Sequence, residues 1–179
     1  MSRSLRGLLI QSILRGPASL PAPAPDPEAL QELALSLGRT GRKLLGRSLA
    51  IREIDAGSCN GCELEITALT NPAYDLERFG FSFVASPKHA DVLMVTGPVT
   101  LAMKTALERA FDVTPDPKWV VAVGDCACNG GVFAASPACV GRVSRVIPVD
   151  LHLPGCPPRP MALLSGLLAL MQTASSSLS

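Results

Sequence analysis

Five short apolar, β-branched runs recur through the second part of this chain: IREID (51–55), FSFVAS (81–86), DVLMVTG (91–97), WVVAVGD (119–125) and RVIPVD (145–150). Between or after them lie segments of helical texture, GCELEITALT, VTLAMKTALERAFD and RPMALLSGLLALMQ. Strands that are apolar nearly throughout must be buried on both faces, and helical connections supply the cover, so the pattern predicts a parallel sheet. The fold class expected is α/β, a small doubly wound domain over residues 51–179, with the flavodoxin-like strand order favoured. With 47% hydrophobic and 17% charged residues in 179, the chain can bury a sizeable core. Five Phe, one Trp and one Tyr contribute little to it, so the core must be mainly Val, Ile, Leu and Ala. No internal repeat interrupts this reading.

Residues 1–50 have a different texture and read as an arm. SLRGLLIQSILRG has the pattern of a short amphipathic helix, and PASLPAPAPDP that of a stiff proline-rich linker. DPEALQELALSLG then predicts a helix with Asp26 as N-cap, Pro27 at its first position and Gly38 as its stop. RTGRKLLGRS follows, collecting Arg39, Arg42, Lys43 and Arg47. Residues 1–52 carry eight Lys/Arg against three Asp/Glu, and the remainder eight against twelve. The arm is therefore expected either to dock on a membrane subunit or anionic lipid, or to present a solvated charged face. The formal charge of +1 excludes a general nucleic-acid binder.

The chain has six cysteines. No secretory signal is expected, because LRGLLIQSIL is short and lacks a following cleavage pattern; MSRSLRGLLIQSILRG is acid-free in the manner of a mitochondrial presequence. No twin-arginine leader or membrane-spanning run is expected either, which favours reduced thiols in a cytoplasmic compartment. Four cysteines are spaced Cys59-x2-Cys62-x63-Cys126-x29-Cys156. Each group lies just beyond an expected strand. In an open parallel sheet the loops at the strands' carboxyl ends gather on one rim, so distant cysteines can converge there.

The neighbouring residues suit an iron–sulfur cluster, which is held by four thiolates and gains from backbone N–H groups. Gly57, Gly61, Gly124 and Gly155 would let the chain pass close to a bulky inorganic core. Cys62 is expected at a helix start, where the dipole lowers a thiol's pKa. Pro157 and Pro158 would fix the chain after Cys156 and start the last helix. Asp125, beside Cys126, has the wrong sign for an anionic site, and the sequence supplies no reason for it. Structural zinc and a thioredoxin-like dithiol at Cys59 and Cys62 are the competing readings. Cys128 and Cys139 read as inert, with Cys128 an alternative ligand to Cys126. His89 and His152 read as ordinary surface or hydrogen-bonded residues.

CNGCE, GDC…GG and PGCPP together resemble the small electron-transfer subunit shared by [NiFe]-hydrogenases and the 20-kDa subunit of respiratory complex I. The likeness covers about residues 50–173, including NPAYDLERFG, SPKHADVLMVTGPVT and IPVDLHLPGCPPRP. It is strongest toward the membrane-bound, formate hydrogenlyase-type hydrogenases, since complex I subunits carry adjacent cysteines in the first motif. Arg159 and Glu65 resemble the complex I version instead. The resemblance implies one [4Fe–4S] cluster in an iron–sulfur α/β domain (51–179), held by Cys59, Cys62, Cys126 and Cys156. Uptake-type small subunits have a further domain with two more clusters, which this chain is too short to contain.

It further implies a subunit of an oxidoreductase complex, not catalytic alone, relaying electrons between a ferredoxin-like subunit and a large catalytic subunit. In the hydrogenase branch that partner holds a Ni–Fe site; in the complex I branch the two subunits form a quinone-reduction chamber. Membrane subunits of the complex are implied partners, and the expected place is peripheral, on the cytoplasmic side of the inner membrane. Glu63 and Glu65 are expected to cap the helix N-terminus, with proton transfer as the alternative.

Overall fold

A computed structural model describes residues 26–177. The helix expected at SLRGLLIQSILRG lies outside the described residues, as does nearly all of the proline-rich linker. Helix α1 (Pro27–Leu45) starts where the sequence places it, with Asp26 Oδ1 accepting from the Glu28 N–H at 3.0 Å. It does not stop at Gly38. It ends at Gly46, in the left-handed conformation, whose N–H donates to the Arg42 carbonyl at 2.8 Å. Gly38 serves a different purpose: the Phe79 carbonyl lies against it, and a Cβ there would overlap that oxygen. A glycine that resembles a helix stop is instead a point of close approach.

Strand β1 (Leu49–Asp55) is followed by α2 (Gly61–Ala68), a 3-10 turn at Leu76–Phe79 and β2 (Phe81–Phe83). Then come β3 (Val92–Thr96), β4 (Val99–Thr100), α3 (Leu101–Val113), β5 (Trp119–Val123) and α4 (Asp125–Asn129). β6 (Cys139–Gly141), β7 (Leu151–Leu153) and α5 (Pro160–Ser177) complete the described chain. Five strands pair in the order β2-β1-β3-β5-β7, every pair parallel. This is the expected flavodoxin-like order. β4 and β6 form a separate antiparallel pair, which the apolar runs do not announce.

The last strand of the main sheet is displaced from its expected position. RVIPVD is not a strand; LHL (151–153) is. Pro148 has no N–H to give to a ladder. Contact with β5 begins only at Asp150, whose N–H donates to the Val120 carbonyl (2.9 Å) and whose Oδ2 accepts from the Val120 N–H (2.7 Å). The last helix likewise begins at Pro160 rather than at Pro157 or Pro158.

Side-chain alternation along the strands feeds two cores. Leu49, Ile51, Val92, Met94, Val121 and Val123 face one side with Leu37 of α1 and Leu163 and Leu167 of α5. Ile54, Leu93, Val95, Val120 and Ala122 face the other with Leu107 of α3 and Ala127 of α4. Each large aliphatic side chain so buried contributes roughly 1.5–3 kcal/mol. The second half of the N-terminal segment is thus a structural cover of the sheet, with Ala34 and Leu37 fully buried.

Its basic residues divide by role. Arg42 and Lys43 lie in the last turn of α1, where the helix dipole favours cations. Arg47 makes a two-pronged pair with buried Asp91 at 2.8 and 2.6 Å, and Asp91 also accepts from the Ala50 N–H at 2.9 Å. Arg47 therefore braces β1 against β3 rather than adding to a free basic face. Among the described residues no helix is long and apolar enough to cross a membrane.

The Gly38 contact reverses the usual sign of a helix substitution. Gly38→Ala would stabilise an exposed helix by about 1 kcal/mol. Here it is expected to destabilise the fold by about 1–3 kcal/mol through overpacking against Phe79, read as a lower denaturation midpoint than wild type.

Candidate metal centre

Three strand ends build the site. After β1, Asp55 Oδ1 accepts from the N–H groups of both Gly57 and Ser58 at 2.7 Å, and Ser58 Oγ accepts from the Asn60 N–H at 3.0 Å. These local side-chain bonds shape the turn that presents exposed Cys59 and then half-buried Cys62 in the first turn of α2. After β5, Gly124 at φ 88° turns the chain into α4, where Cys126 is half-buried. After β7, exposed Cys156 follows Gly155.

The three loops meet although β3 separates β1 from β5. A Cβ placed on Gly124 would stand 2.5 Å from Cys62 Sγ, so the thiol of the first motif lies directly over the backbone of the second. The second and third loops are joined by hydrogen bonds from the Gly124 N–H to the Leu153 carbonyl (2.8 Å) and from the Asp125 N–H to the Gly155 carbonyl (2.9 Å). Gly155 N–H in turn donates to Asp125 Oδ1 at 2.8 Å.

The four thiols share one electrostatic neighbourhood. Burial pushes the Cys62 thiol up to about 12, assisted first by Glu63 and then by Cys126, Cys59 and Cys156. Burial also raises Cys126, assisted by Cys156, Cys59 and Asp125. Where a helix start is expected to lower the pKa of Cys62, burial together with Glu63 and the neighbouring cysteines raises it. No three His, Cys, Asp or Glu side chains among the described residues are placed to hold a metal ion.

Cys128 stands apart. Its Sγ donates to the Ala122 carbonyl at 3.4 Å, it packs against the second core, and burial pushes it up to about 11. Cys139 lies on β6, paired with Thr100. His89 and His152 are both exposed.

Glu63 does not cap α2. No side chain caps that helix, and both Glu63 carboxylate oxygens are buried without a partner. The residue lines a cavity of about 260 Å³ with Arg52, Glu53, Ile66, Thr67 and Phe83. Burial raises the pKa of Glu53, and Glu63 adds to the rise. Nothing in the sequence points to this pocket, since Glu53 on a strand carries no motif. The turn made by Asp55 is legible in principle, as an Asp ahead of a Gly-Ser turn is an Asx-turn signature.

The fold is a doubly wound parallel sheet with Cys59, Cys62, Cys126 and Cys156 on the segments after three of its strands. The family model described as NADH ubiquinone oxidoreductase, 20 Kd subunit, matches residues 59–170, and the chain belongs to that family. It is 48% identical over 130 residues to the probable membrane-bound hydrogenase subunit mbhJ of Pyrococcus furiosus, covering 73% of this chain and 78% of that one. It is 42% identical over 142 residues to formate hydrogenlyase subunit 7 of Escherichia coli, covering 79% of this chain but 56% of that protein. An NADH-quinone oxidoreductase subunit of Heliobacterium modesticaldum is 47% identical over 110 residues, 61% of this chain and 63% of that one.

Among solved structures, a chain of the membrane-bound sulfane sulfur reductase, an archaeal respiratory membrane complex, superimposes with a TM-score of 0.65 at 34% identity. The match covers 79% of this chain and 76% of that one. The relatives are subunits of oxidoreductase complexes.

With its thiol pushed up to about 12, Cys62 is expected to be almost wholly protonated at pH 8. Alkylation followed by peptide mass spectrometry is expected to label exposed Cys59 and Cys156 first. Cys62 should label slowly, its rate rising roughly tenfold per pH unit between about pH 8 and 11. Equal labelling of Cys62 at pH 8 would contradict the burial account.

Proposed function

We propose that the chain is the electron-relay subunit of a membrane-bound, hydrogenase-type oxidoreductase complex, and that Cys59, Cys62, Cys126 and Cys156 hold one [4Fe–4S] cluster. The observation that carries this reading is the meeting of four cysteines from three strand ends in one neighbourhood, with Cys62 Sγ seated over Gly124. An all-sulfur donor set suits soft-metal chemistry and is the usual donor set of iron–sulfur clusters. Among the described residues, no three of the donors converge on a single point. When bound, the cluster takes up and gives back single electrons.

The chain's own residues do the rest. Metal binding must displace the protons that burial holds on Cys62 and Cys126. Half-burial of these two thiols against the sheet keeps water from one side of the site. Exposed Cys59 and Cys156 leave the opposite side open to a neighbouring subunit. Leu64, on the helix of Cys62, and Val132 and Phe133, just beyond the helix of Cys126, are exposed apolar residues at 63%, 89% and 46%. Apolar groups so placed suit a subunit contact. The partners proposed are a large catalytic subunit, a ferredoxin-like iron–sulfur subunit and membrane subunits, with the chain peripheral on the cytoplasmic side.

A second reading is favoured by the family model and by the 47% identity to the Heliobacterium NADH-quinone oxidoreductase subunit. In it, this chain and its large partner form a quinone-reduction site. The cysteine spacing supports the hydrogenase branch, while the likeness to a sulfane sulfur reductase chain supports a wider range of respiratory complexes.

Metal analysis of the complex, isolated anaerobically from native membranes through a tag on this chain, separates the branches. About four iron atoms attributable to this subunit and a low-temperature EPR signal on reduction are expected. Nickel in addition supports the hydrogenase branch; iron without nickel supports the quinone or another branch. Cys126→Ser should abolish this subunit's signal and Cys128→Ser should preserve it. Retention of the signal in the Cys126 variant, or bound zinc with no signal, would overturn the donor assignment.

A further inference from the structure

Asp125 is the residue for which the donor set has no evident use. Its backbone N–H donates to the Gly155 carbonyl at 2.9 Å, and its Oδ1 accepts from the Gly155 N–H at 2.8 Å. One residue therefore closes a two-point clasp with a partner thirty positions away. The ladder between β5 and β7 ends at the Val123–Leu153 register, and the Gly124 N–H reaches the Leu153 carbonyl just beyond it. The clasp carries the pairing one step further into the rim, using a side-chain oxygen as the second acceptor. On each side of it stands a cysteine: Cys126 follows Asp125, and Cys156 follows Gly155.

We propose that Asp125 is a positioning residue that holds Cys126 and Cys156 at a set separation and, through its negative charge, lowers the reduction potential of the group they bind. The inference rests on the reading of the four cysteines as a [4Fe–4S] donor set. Two physical effects support it. A charge-assisted hydrogen bond to a backbone N–H is stronger than a neutral one, so the clasp resists separation of the two loops. A fixed negative charge beside an electron acceptor disfavours its reduced, more negative state, and net charge is among the quantities that set cluster potentials.

Two substitutions separate the effects. Asp125→Asn keeps an oxygen that can accept from the Gly155 N–H but removes the charge; Asp125→Ala removes both. Each is introduced into the full chain within its complex, which is isolated anaerobically beside wild type. Iron content, the rate of iron loss to a ferrous chelator and the EPR-monitored potentiometric titration are then measured.

Asp125→Ala is expected to lose iron about tenfold faster or more, the usual cost of removing a group that orients a metal ligand. Asp125→Asn should restore iron retention to within about twofold of wild type while titrating at a more positive potential. A purely structural role would leave that potential unmoved. Iron loss from Asp125→Ala at the wild-type rate, or an Asp125→Asn midpoint at the wild-type value, overturns the inference. If Asp125→Ala does not accumulate, the Asp125→Asn potential decides. A wild-type complex with no iron and no signal refutes the donor set itself, which separates that failure from a failure of the clasp.

Discussion

The parallel pairing of five strands is the constraint on which the rest of this protein depends. Because every pair in the main sheet is parallel, each connection must return to the opposite end, and all strands release their chain on the same rim. Helices α3 and α4, which make two of those returns, cover one face, while α1 and α5 from the two ends of the described chain cover most of the other. The same geometry delivers the loops after β1, β5 and β7 to one edge, and with them four cysteines, two of which are separated by 63 residues of sequence. The cysteines reach one rim without a local motif because the sheet brings their loops together.

What the sequence discloses follows from which interactions have a period or a spacing. The apolar runs of β1, β3 and β5 announce buried parallel strands, and the order they adopt is the one their pattern favours. The strand after them is displaced because RVIPVD has a strand's composition while Pro148 denies it a ladder. Gly38 resembles a helix stop because a glycine's purpose depends on what approaches it. Phe79, which does approach it, is 41 positions away. The four cysteines are legible through their position after strands. The departure of Cys128, only two residues beyond Cys126, is fainter in the sequence and becomes plain through its bond to the Ala122 carbonyl.

Charge is the least legible property. A helix start suggests an anion-friendly thiol, yet Cys62 is pushed the other way by burial and by Glu63. Nothing in the sequence shows that Glu63 turns its carboxylate into a cavity beside Glu53 and Arg52, because those residues belong to a different element. Asp125 is the converse case. Its charge looks out of place beside Cys126, and only the hydrogen bond to Gly155 gives it a structural purpose.

These electrostatics bear on how the site and the fold are coupled. Glu63, Asp125 and the neighbouring thiols all oppose ionisation of Cys62 or Cys126, so these two hold their protons. Any cation held by these two thiols would have to supply the free energy to release those protons, and its affinity would fall as pH falls. The surrounding scaffold does not meet this cost through flexibility: Asp55 fixes the turn before Cys59, and Asp125 ties the loop of Cys126 to that of Cys156. The loops are pre-shaped while the thiols are held back. Burial so arranged keeps half-buried Cys62 protonated and little reactive toward oxidants near neutral pH. Rigid geometry with reluctant ionisation is thus a coherent combination, and the acidic neighbours that look unfavourable for an anionic centre are part of what provides it.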